Sequence, residues 1–593
     1  MKKIFCTCFF LLLFIIVVHN ISNAQSVVYY SPKPGSDLNS EESNIIIGMS
    51  GTITNPVNLR VTGSISGLHS GRIQTVGNKS KLIFKPNNNF IFGETVTVSG
   101  YSGTDSYSFQ IRKNKPVLYS GILNELNLSY SKTIKKSYPY TLKSNTDGGY
   151  TDSLPDLNIT INGPTAPGSI FISNFSNNPL AESYLMILNN DGSPVFDKML
   201  YARGFDFKKQ NPNLITYYDA VHQKFLGLNN SFAVIDSFYC GNGYSTDIHE
   251  LRVMPDGSAW MMSYDPEFVD MSKIVPGGQP NALVTGLIVQ QIDANKNVIF
   301  QWRSWDHYKI TDATHEDLLA LNIDYVHGNA IEIDNEGNIM ISCRHLDEIT
   351  KINPVTGDIV WRLGGKNNQF TFINDPAGFS HQHYVRRTQA GSLILFDNGN
   401  FHTPHYSRAV EYNLDEHNYL VFEIWEYRHT PDIYAAAMGS VQRLENGNTL
   451  IGWGSASTTL SEVTPNNELV YELSLPPGEF SYRAFRFEWE ILTGVHNTTG
   501  IPAQYFLSQN YPNPFNPVTK IRYIIPANVN GASDIKLTVF DLTGRRIATL
   551  AEGYQTPGLH EITFDGSSMS SGVYFYRLTA GDFSMTRKML LIK

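Results

Sequence analysis

Three short polar signatures lie between residues 324 and 399, each set into apolar, strand-like sequence. They are DYVHGNA, with His327 and Asn329; ISCRH, with Arg344 and His345; and SHQHYVRR, with His381, Gln382 and His383. These are residue types that handle an anion: a guanidinium and an amide hydrogen-bond its oxygens, and an imidazole supplies a nucleophile or carries a proton. His249, in TDIHEL, precedes the Gly turn at 255–257 as His327 precedes the one at 335–337 and His383 the one at 389–391. That recurrence is what favours a site. A lone strand histidine is more often a hydrogen-bonded structural residue, and Arg344 has Asp347 and Glu348 close by as surface partners. His381 and His383, two apart on a strand, are expected on one side of it, and His-x-His is also a metal-ligand pattern. No carboxylate obviously completes such a shell, and Asn329 and Arg344 are poor ligands, so no metal is expected. FDNG, with Asp397 and Asn398, reads as a tight turn.

The elements that must position these residues repeat. Turns at 255–257 (PDG), 335–337 (NEG), 389–391 (QAG) and 445–447 (ENG) each follow one strand and start another: SAWMMSYD, NIMISCRH, SLILFDNG and NTLIGWGS. Third and fourth strands follow in EITKINPVTGDIVWRLGG and SEVTPNNELVYELSL, with Gly where a positive φ is needed. Four strands per unit, repeated, predict propeller blades. Two more degenerate units, at SIFISNF with YLMILNNDGSPVFD and at NPNLITYYDA with SFAVIDSFYC, bring the count to six. In a propeller the innermost strands and the loops entering them converge on a central channel, so distant histidines meet at one mouth. One short helix is expected over 312–322, after an Asp312 cap.

Taken together, HGN, ISCRHLDEITKINPVTGDIVWRLGG, HQH, LILFDNG, SRAVEY and QRLENGNTLIGWGS resemble the bacterial arylsulfate sulfotransferase family, across roughly residues 240–460. The resemblance implies a six-bladed propeller with its site in the central channel. It also implies transfer of a sulfuryl group from an aryl sulfate to a phenolic acceptor through a sulfated histidine, without a nucleotide sulfate donor and with no cofactor. Carried over, the family's nucleophile falls on His383, preceded by Gln382, and its His-x-Asn pair on His327 and Asn329. Its arginine falls on Arg344, an earlier channel histidine on His249, and a hydroxyl from the following blade on Ser440. The catalytic set is then His383, His327, Arg344 and His249, with Asn329, Gln382 and Ser440 contacting substrate. The closely spaced cysteine pair of the better-known periplasmic members is absent.

The residue types suit that chemistry. A transferring sulfuryl group spreads negative charge over its oxygens, so catalysis is largely positioning and electrostatics. Arg344 and Asn329 would bind those oxygens, His383 would attack, and His249 or His327 would serve the departing phenolate. Two rival readings stay open: a non-catalytic surface propeller that binds glycan or protein, and a metal-dependent hydrolase.

The flanks are distinct. Residues 1–24 carry Lys2 and Lys3, an apolar FFLLLFIIVV run and a small-residue SNA end, and read as a secretory signal too short to span a membrane. Removing it leaves Cys240 and Cys343, between which one disulfide is possible. Residues 25–115, with alternating NLRVTGSIS, KLIFKPN and TVTVSGYSG, predict a small β-sandwich resembling bacterial immunoglobulin-like modules, expected to act as a spacer or docking surface. The propeller then occupies 116–495, a linker and the start of the sorting region 496–515, and a last sandwich 516–593. FLSQNYPNPFNPVTKIRYIIP, IKLTVFDLTGRRIATL, SGVYFYRLTAG and MTRKMLLIK resemble the C-terminal sorting domain of type IX (Por) secretion substrates. The partners implied are that machinery, an aryl sulfate and a phenol, with the product secreted or at the cell surface by way of the periplasm. The abundance of aromatics and Gly (33 Phe, 32 Tyr, 46 Gly) favours strands and turns and an all-β protein. A net charge of -9 without a long basic run disfavours a nucleic-acid partner, which would need a cationic face.

Overall fold

The computed structural model describes residues 26–115, 154–489 and 505–593, less 54–58, 78, 102–104, 177–182, 201–202, 508–509, 511–512, 514, 526–532, 557 and 582. The secretory signal read at 1–24 lies outside the described residues. The fold is all-β, built from separate antiparallel sheets, and its helical content among the described residues is a few three-residue 3₁₀ turns. No helix among them is long and apolar enough to cross a membrane.

The helix expected over 312–322 does not form. A 3₁₀ turn, Ile310–Asp312, ends there, and the chain runs on in turns to the short strand Asn322–Asp324. Asp312 does not start a new helix because its carboxylate already accepts from Arg362 and from the backbone of Lys309. Thr314 bonds the His345 carbonyl through both its N–H and its hydroxyl. Local propensity is outweighed by tertiary bonds in so short a segment.

At the front, two four-stranded sheets share one core. One is ordered Val27–Ser31, Ile45–Met49, Lys81–Pro86, Gly71–Val76; the other Gly67–His69, Arg60–Gly63, Thr95–Ser99, Ser106–Gln110. Strand alternation does the sorting: Val96 and Val98, like Tyr107 and Phe109, turn inward while their neighbours face out. Buried polar contacts tie this module to the sheets that follow. Arg112 pairs with Asp265 (3.2 Å) and Glu267 (2.8 Å), and the Tyr29 hydroxyl donates to the Gln301 carbonyl (2.6 Å).

Six sheets follow between Asn158 and Phe487 among the described residues. Each has one edge strand in a common inner set: β1 (Gly204–Asn211), β2 (Leu251–Val253), β3 (Gly328–Ile333), β4 (His383–Arg387), β5 (Ser440–Arg443) and β6 (Glu479–Phe487). Each touches the next, β1 to β2 and onward to β6, and β6 touches β1 again, so the series closes on itself. The first and last strands of this six-sheet segment make the closure. β6, last in sequence, pairs with Ser169–Ser176, and the early strand Asn158–Asn162 pairs with Leu469–Ser474. The predicted Gly turns follow β2, β3, β4 and β5, with Gly257, Gly337, Gly391 and Gly447 at φ of 80, 85, 92 and 89°, which L side chains rarely adopt. The sheets pack through apolar faces that include fully buried Trp302, Trp361 and Trp453.

The remaining unit, Glu490–Lys593 with Asn230–Phe232, holds a three-stranded and a four-stranded sheet around Ile521, Tyr523, Leu537, Val539, Tyr576, Leu578 and Met589. Cys240 and Cys343 are both buried and free, so the possible disulfide is not made.

Candidate active site

Inner strands begin where the signature histidines end, which is why these residues meet. His249 stands two residues before β2, His327 immediately before β3, and His383 opens β4. The imidazole of His249 lies 5.1 Å from that of His327 and 6.1 Å from that of His383, centre to centre, and all three are buried. Each of the first two leans on a carboxylate from its own entering loop: Asp247 accepts from His249 Nδ1 (2.5 Å), and Asp324 from His327 Nδ1 (2.7 Å). Such pairing fixes the orientation of the ring and places a proton on Nδ1. His249 Nε2 is buried without a hydrogen-bond partner.

His383 is held differently. Its Nδ1 is 2.9 Å from the Gly439 carbonyl oxygen, which can only accept, so Nδ1 carries a proton and the neutral ring holds its lone pair on Nε2. The Tyr482 hydroxyl from β6 lies 3.4 Å from that Nε2 and 3.4 Å from the His249 carbonyl. Burial holds the Tyr482 phenol well above its usual range, so it stays a neutral donor.

A second tier stands beside His327. Arg344 donates its backbone N–H to the His327 carbonyl (2.9 Å), one guanidinium nitrogen to the Ala436 carbonyl (3.0 Å) and another to His345 Nε2 (2.8 Å). The His345 ring is 4.7 Å from that of His327, and its Nδ1 donates to the Asp324 carbonyl (2.5 Å). Burial, with His327 and Arg344 alongside, holds the His345 imidazole down to about 3. It is a neutral ring with both nitrogens engaged.

Beneath the histidines runs a layer of buried charge. Glu250, next to His249, pairs with Lys208, with Arg386 (2.6 Å) and with Arg483 (3.2 Å); Asp206 pairs with Lys208 (2.7 Å) and Arg483 (2.6 Å). Burial opposes ionisation of Glu250, but Arg386, Lys208 and Arg483 outweigh it and hold the carboxyl below its usual range. Arg483 also donates to the Asn329 carbonyl (2.7 Å). The ion pairs therefore bear on a site residue and on Tyr482, the neighbour of Arg483.

The residues singled out from sequence fall into two groups. His249, His327 and His383 come together, and Arg344 joins them through His345. Asn329 donates to the Gln382 carbonyl (2.8 Å), with its own Oδ1 buried and without a partner. Gln382 spends its amide nitrogen on Ser342, Cys343 and Glu348. Ser440 exchanges hydrogen bonds with the backbone of Ala484, donating at 3.0 Å and accepting at 3.1 Å. These two side chains are committed to the framework. His381 and His383 do not share a strand face as expected. The strand starts at His383, and His381 sits ahead of it at φ +52°, so strand alternation does not apply.

Carboxylates do stand beside the histidines, contrary to the sequence expectation, and the ligating atoms of Asp324, His327 and His345 lie within 4.8 Å of one another. The donor set fits a metal poorly: His345 Nδ1 donates its N–H to a carbonyl and the lone pair on Nε2 accepts from Arg344, so neither nitrogen is free for an ion. Sequence reasoning passed over Asp247, Asp324 and Tyr482 as site residues, and named His345 without giving it a role. The first two had a signal in the Asp-x-His and Asp-x-x-His spacings.

The profile of a family described as "Arylsulfotransferase (ASST)" matches residues 185–475, and one described as "Secretion system C-terminal sorting domain" matches residues 509–593. The arylsulfate sulfotransferase AssT of Escherichia coli O6:H1 is 29% identical over 127 residues, 17% of this chain and 21% of that protein. The chain thus spans about a fifth of the length of that curated relative. Solved structures similar to it include a protein of unknown function from Bacteroides caccae (TM-score 0.34, 11% identity, 54% of this chain, 98% of that one). Another is a catalytically inactive virginiamycin B lyase from Staphylococcus aureus (0.30, 9%, 54% and 88%), and neither score is high enough to define a shared fold. Residues 185–475 accordingly belong to the arylsulfotransferase family, and residues 509–593 are a secretion-system C-terminal sorting domain that directs the chain to the cell surface.

Proposed function

We propose that the protein is a secreted arylsulfate sulfotransferase that moves a sulfuryl group from an aryl sulfate ester to a phenol through a sulfated His383. The observation that carries this is the Nδ1–H of His383 bound to the Gly439 carbonyl, which leaves Nε2 as the nucleophilic nitrogen beside two carboxylate-backed imidazoles. In the first half-reaction Nε2 attacks sulfur, the S–O bond breaks, and the aryl oxygen leaves with a proton from His249 or His327. In the second, the acceptor's oxygen attacks sulfur, the N–S bond breaks, and the acceptor's proton returns to that histidine. Arg344 and Asn329 are proposed to hold the sulfuryl oxygens, Arg344 through its buried, unpartnered Nε–H and Asn329 through the amide N–H that it does not give to the Gln382 carbonyl.

On this reading the six sheets are the blades of a propeller spanning 116–495, with β1 to β6 lining its channel and the front module, 25–115, an immunoglobulin-like domain. The export partner is the type IX machinery, reading a tail that begins within 496–515, shared with a linker, and continues over 516–593. Gln382 and Ser440 act by shaping the site rather than touching substrate, which the framework bonds of their side chains support.

Initial rates with p-nitrophenyl sulfate, with and without phenol and with and without a chelator, test the proposal. Release of p-nitrophenol that depends on phenol, resists chelation and gives parallel lines in double-reciprocal plots is the expected result. Chelator-sensitive release without phenol would make the protein a metal-dependent hydrolase, and no release from any aryl sulfate would leave a binding propeller.

A further inference from the structure

His381 is the site histidine for which the proposed transfer has no use. Its side chain is buried, and both ring nitrogens lack a hydrogen-bond partner. Burial, with Arg344 and then His345 alongside, pushes its pKa far below the usual range, so the ring is neutral and offers one donor and one acceptor. A buried imidazole with neither nitrogen satisfied is costly, and such groups persist where something else completes them.

What covers His381 is aromatic and exposed. The ring of Phe401 meets it edge-on at 4.9 Å and stacks on that of His315 at 3.4 Å, 14° from parallel. Phe401 is 48% exposed, and the His315 side chain 37%. The two belong to different surface loops, outside any strand, so they can part without breaking a sheet. One carboxylate serves both sides: Asp347 accepts the backbone N–H of His381 through Oδ1 (2.6 Å) and lies 3.1 Å from His315 Nε2 through Oδ2. The His345 ring lies 5.5 Å from that of His381 on the inner side, and Glu316 stands 3.9 Å from its Nε2.

We propose that His315, Phe401 and His381 form an acceptor subsite for a phenol that carries a second hydroxyl. The ring of the acceptor is taken between or against the His315 and Phe401 faces, and the hydroxyl that is not sulfated bonds His381. A flat aromatic suits two parallel rings at a mouth, and a neutral imidazole flanked by a carboxylate matches a hydroxyl, which both donates and accepts. The inference rests on the sulfotransferase reading for what happens to the other hydroxyl, but binding itself does not depend on turnover.

The test uses the full chain, p-nitrophenyl sulfate as donor, and phenol, catechol, resorcinol and hydroquinone as acceptors. At least one dihydroxybenzene is expected to exceed phenol in kcat/KM by about five- to tenfold, as one neutral hydrogen bond would give. His381→Leu should reduce that ratio to near one. Phe401→Ser, at an exposed position where folding is safe, should raise KM for all four acceptors more than it lowers kcat. Ligand-observed NMR of the same four compounds measures binding without chemistry. A preference for the dihydroxybenzene in binding, lost in His381→Leu, with no turnover by wild type would keep the subsite and remove the sulfotransferase reading. Equal kcat/KM for all four acceptors, a ratio unchanged in His381→Leu, or a Phe401→Ser variant with wild-type KM would overturn the subsite.

Discussion

Replacing His383 separates two roles that the wild-type ring combines. Nδ1 donates to the buried Gly439 carbonyl and Nε2 is the proposed nucleophile. In His383→Asn the side-chain amide nitrogen sits close to where Nδ1 was, so it can still donate to that carbonyl, and nothing replaces Nε2. In His383→Ala both are gone, and the carbonyl is left buried without its donor, at a cost of about 1–3 kcal/mol. The Asn variant should therefore unfold in chemical denaturation within about 1 kcal/mol of wild type, and the Ala variant lower by about 2–3 kcal/mol once the lost ring packing is included. Activity should vanish alike in both, by on the order of 10⁴-fold or more, as expected when a nucleophile is removed rather than weakened. The assay is p-nitrophenol release in the presence of phenol, with mass analysis of peptides at alkaline pH after incubation with donor alone to find sulfate on the peptide holding His383. An Asn variant retaining a few per cent of wild-type rate, or sulfate on the peptide of His249 or His327, would refute the assignment. Equal stability of the Ala and Asn variants would refute the role given to the Gly439 bond.

Glu250→Gln strips the shared carboxylate from Lys208, Arg386 and Arg483, all buried with it, and should cost about 3–5 kcal/mol in denaturant titrations, since three buried cations then lose one charge partner and Lys208 and Arg483 are left to share Asp206. Because its folded pKa is depressed, Glu250 contributes stability that is present above its unfolded pKa and lost as pH falls, so the variant should show a flatter acid limb in its unfolding profile. Lys81 is burial-depressed to about 8 while donating to the Ile299 carbonyl. Between that value and its unfolded pKa the unfolded chain binds more protons, so stability rises with pH, and Lys81→Met should abolish a rise of roughly 1–2 kcal/mol measured between pH 7 and 10. Deleting residues 505–593 should leave p-nitrophenol release by the purified protein intact and trap it in the periplasm of a host with type IX secretion; loss of activity in a folded truncation would give the tail a part in the site.

The sequence alone settled the β-rich class and the Gly turns, because these follow from local rules. A residue at φ near +85° must be glycine or pay for it, and strand alternation sorts Val96 from Thr97 without reference to the rest of the chain. Asp247 and Asp324 were as legible as the histidines they hold, being two and three residues away. The expected helix over 312–322 failed for the opposite reason: Asp312 and Thr314 are claimed by Arg362 and His345, partners 50 and 31 residues distant. Only the tertiary structure could decide which side chains face the site. Gln382 and Ser440 turn to the framework because the backbone groups they bind arrive from other strands. Tyr482 comes to His383 from 99 residues away, because the last inner strand returns to close the series begun by the first. No spacing rule carries that information; the closure of the sheets does.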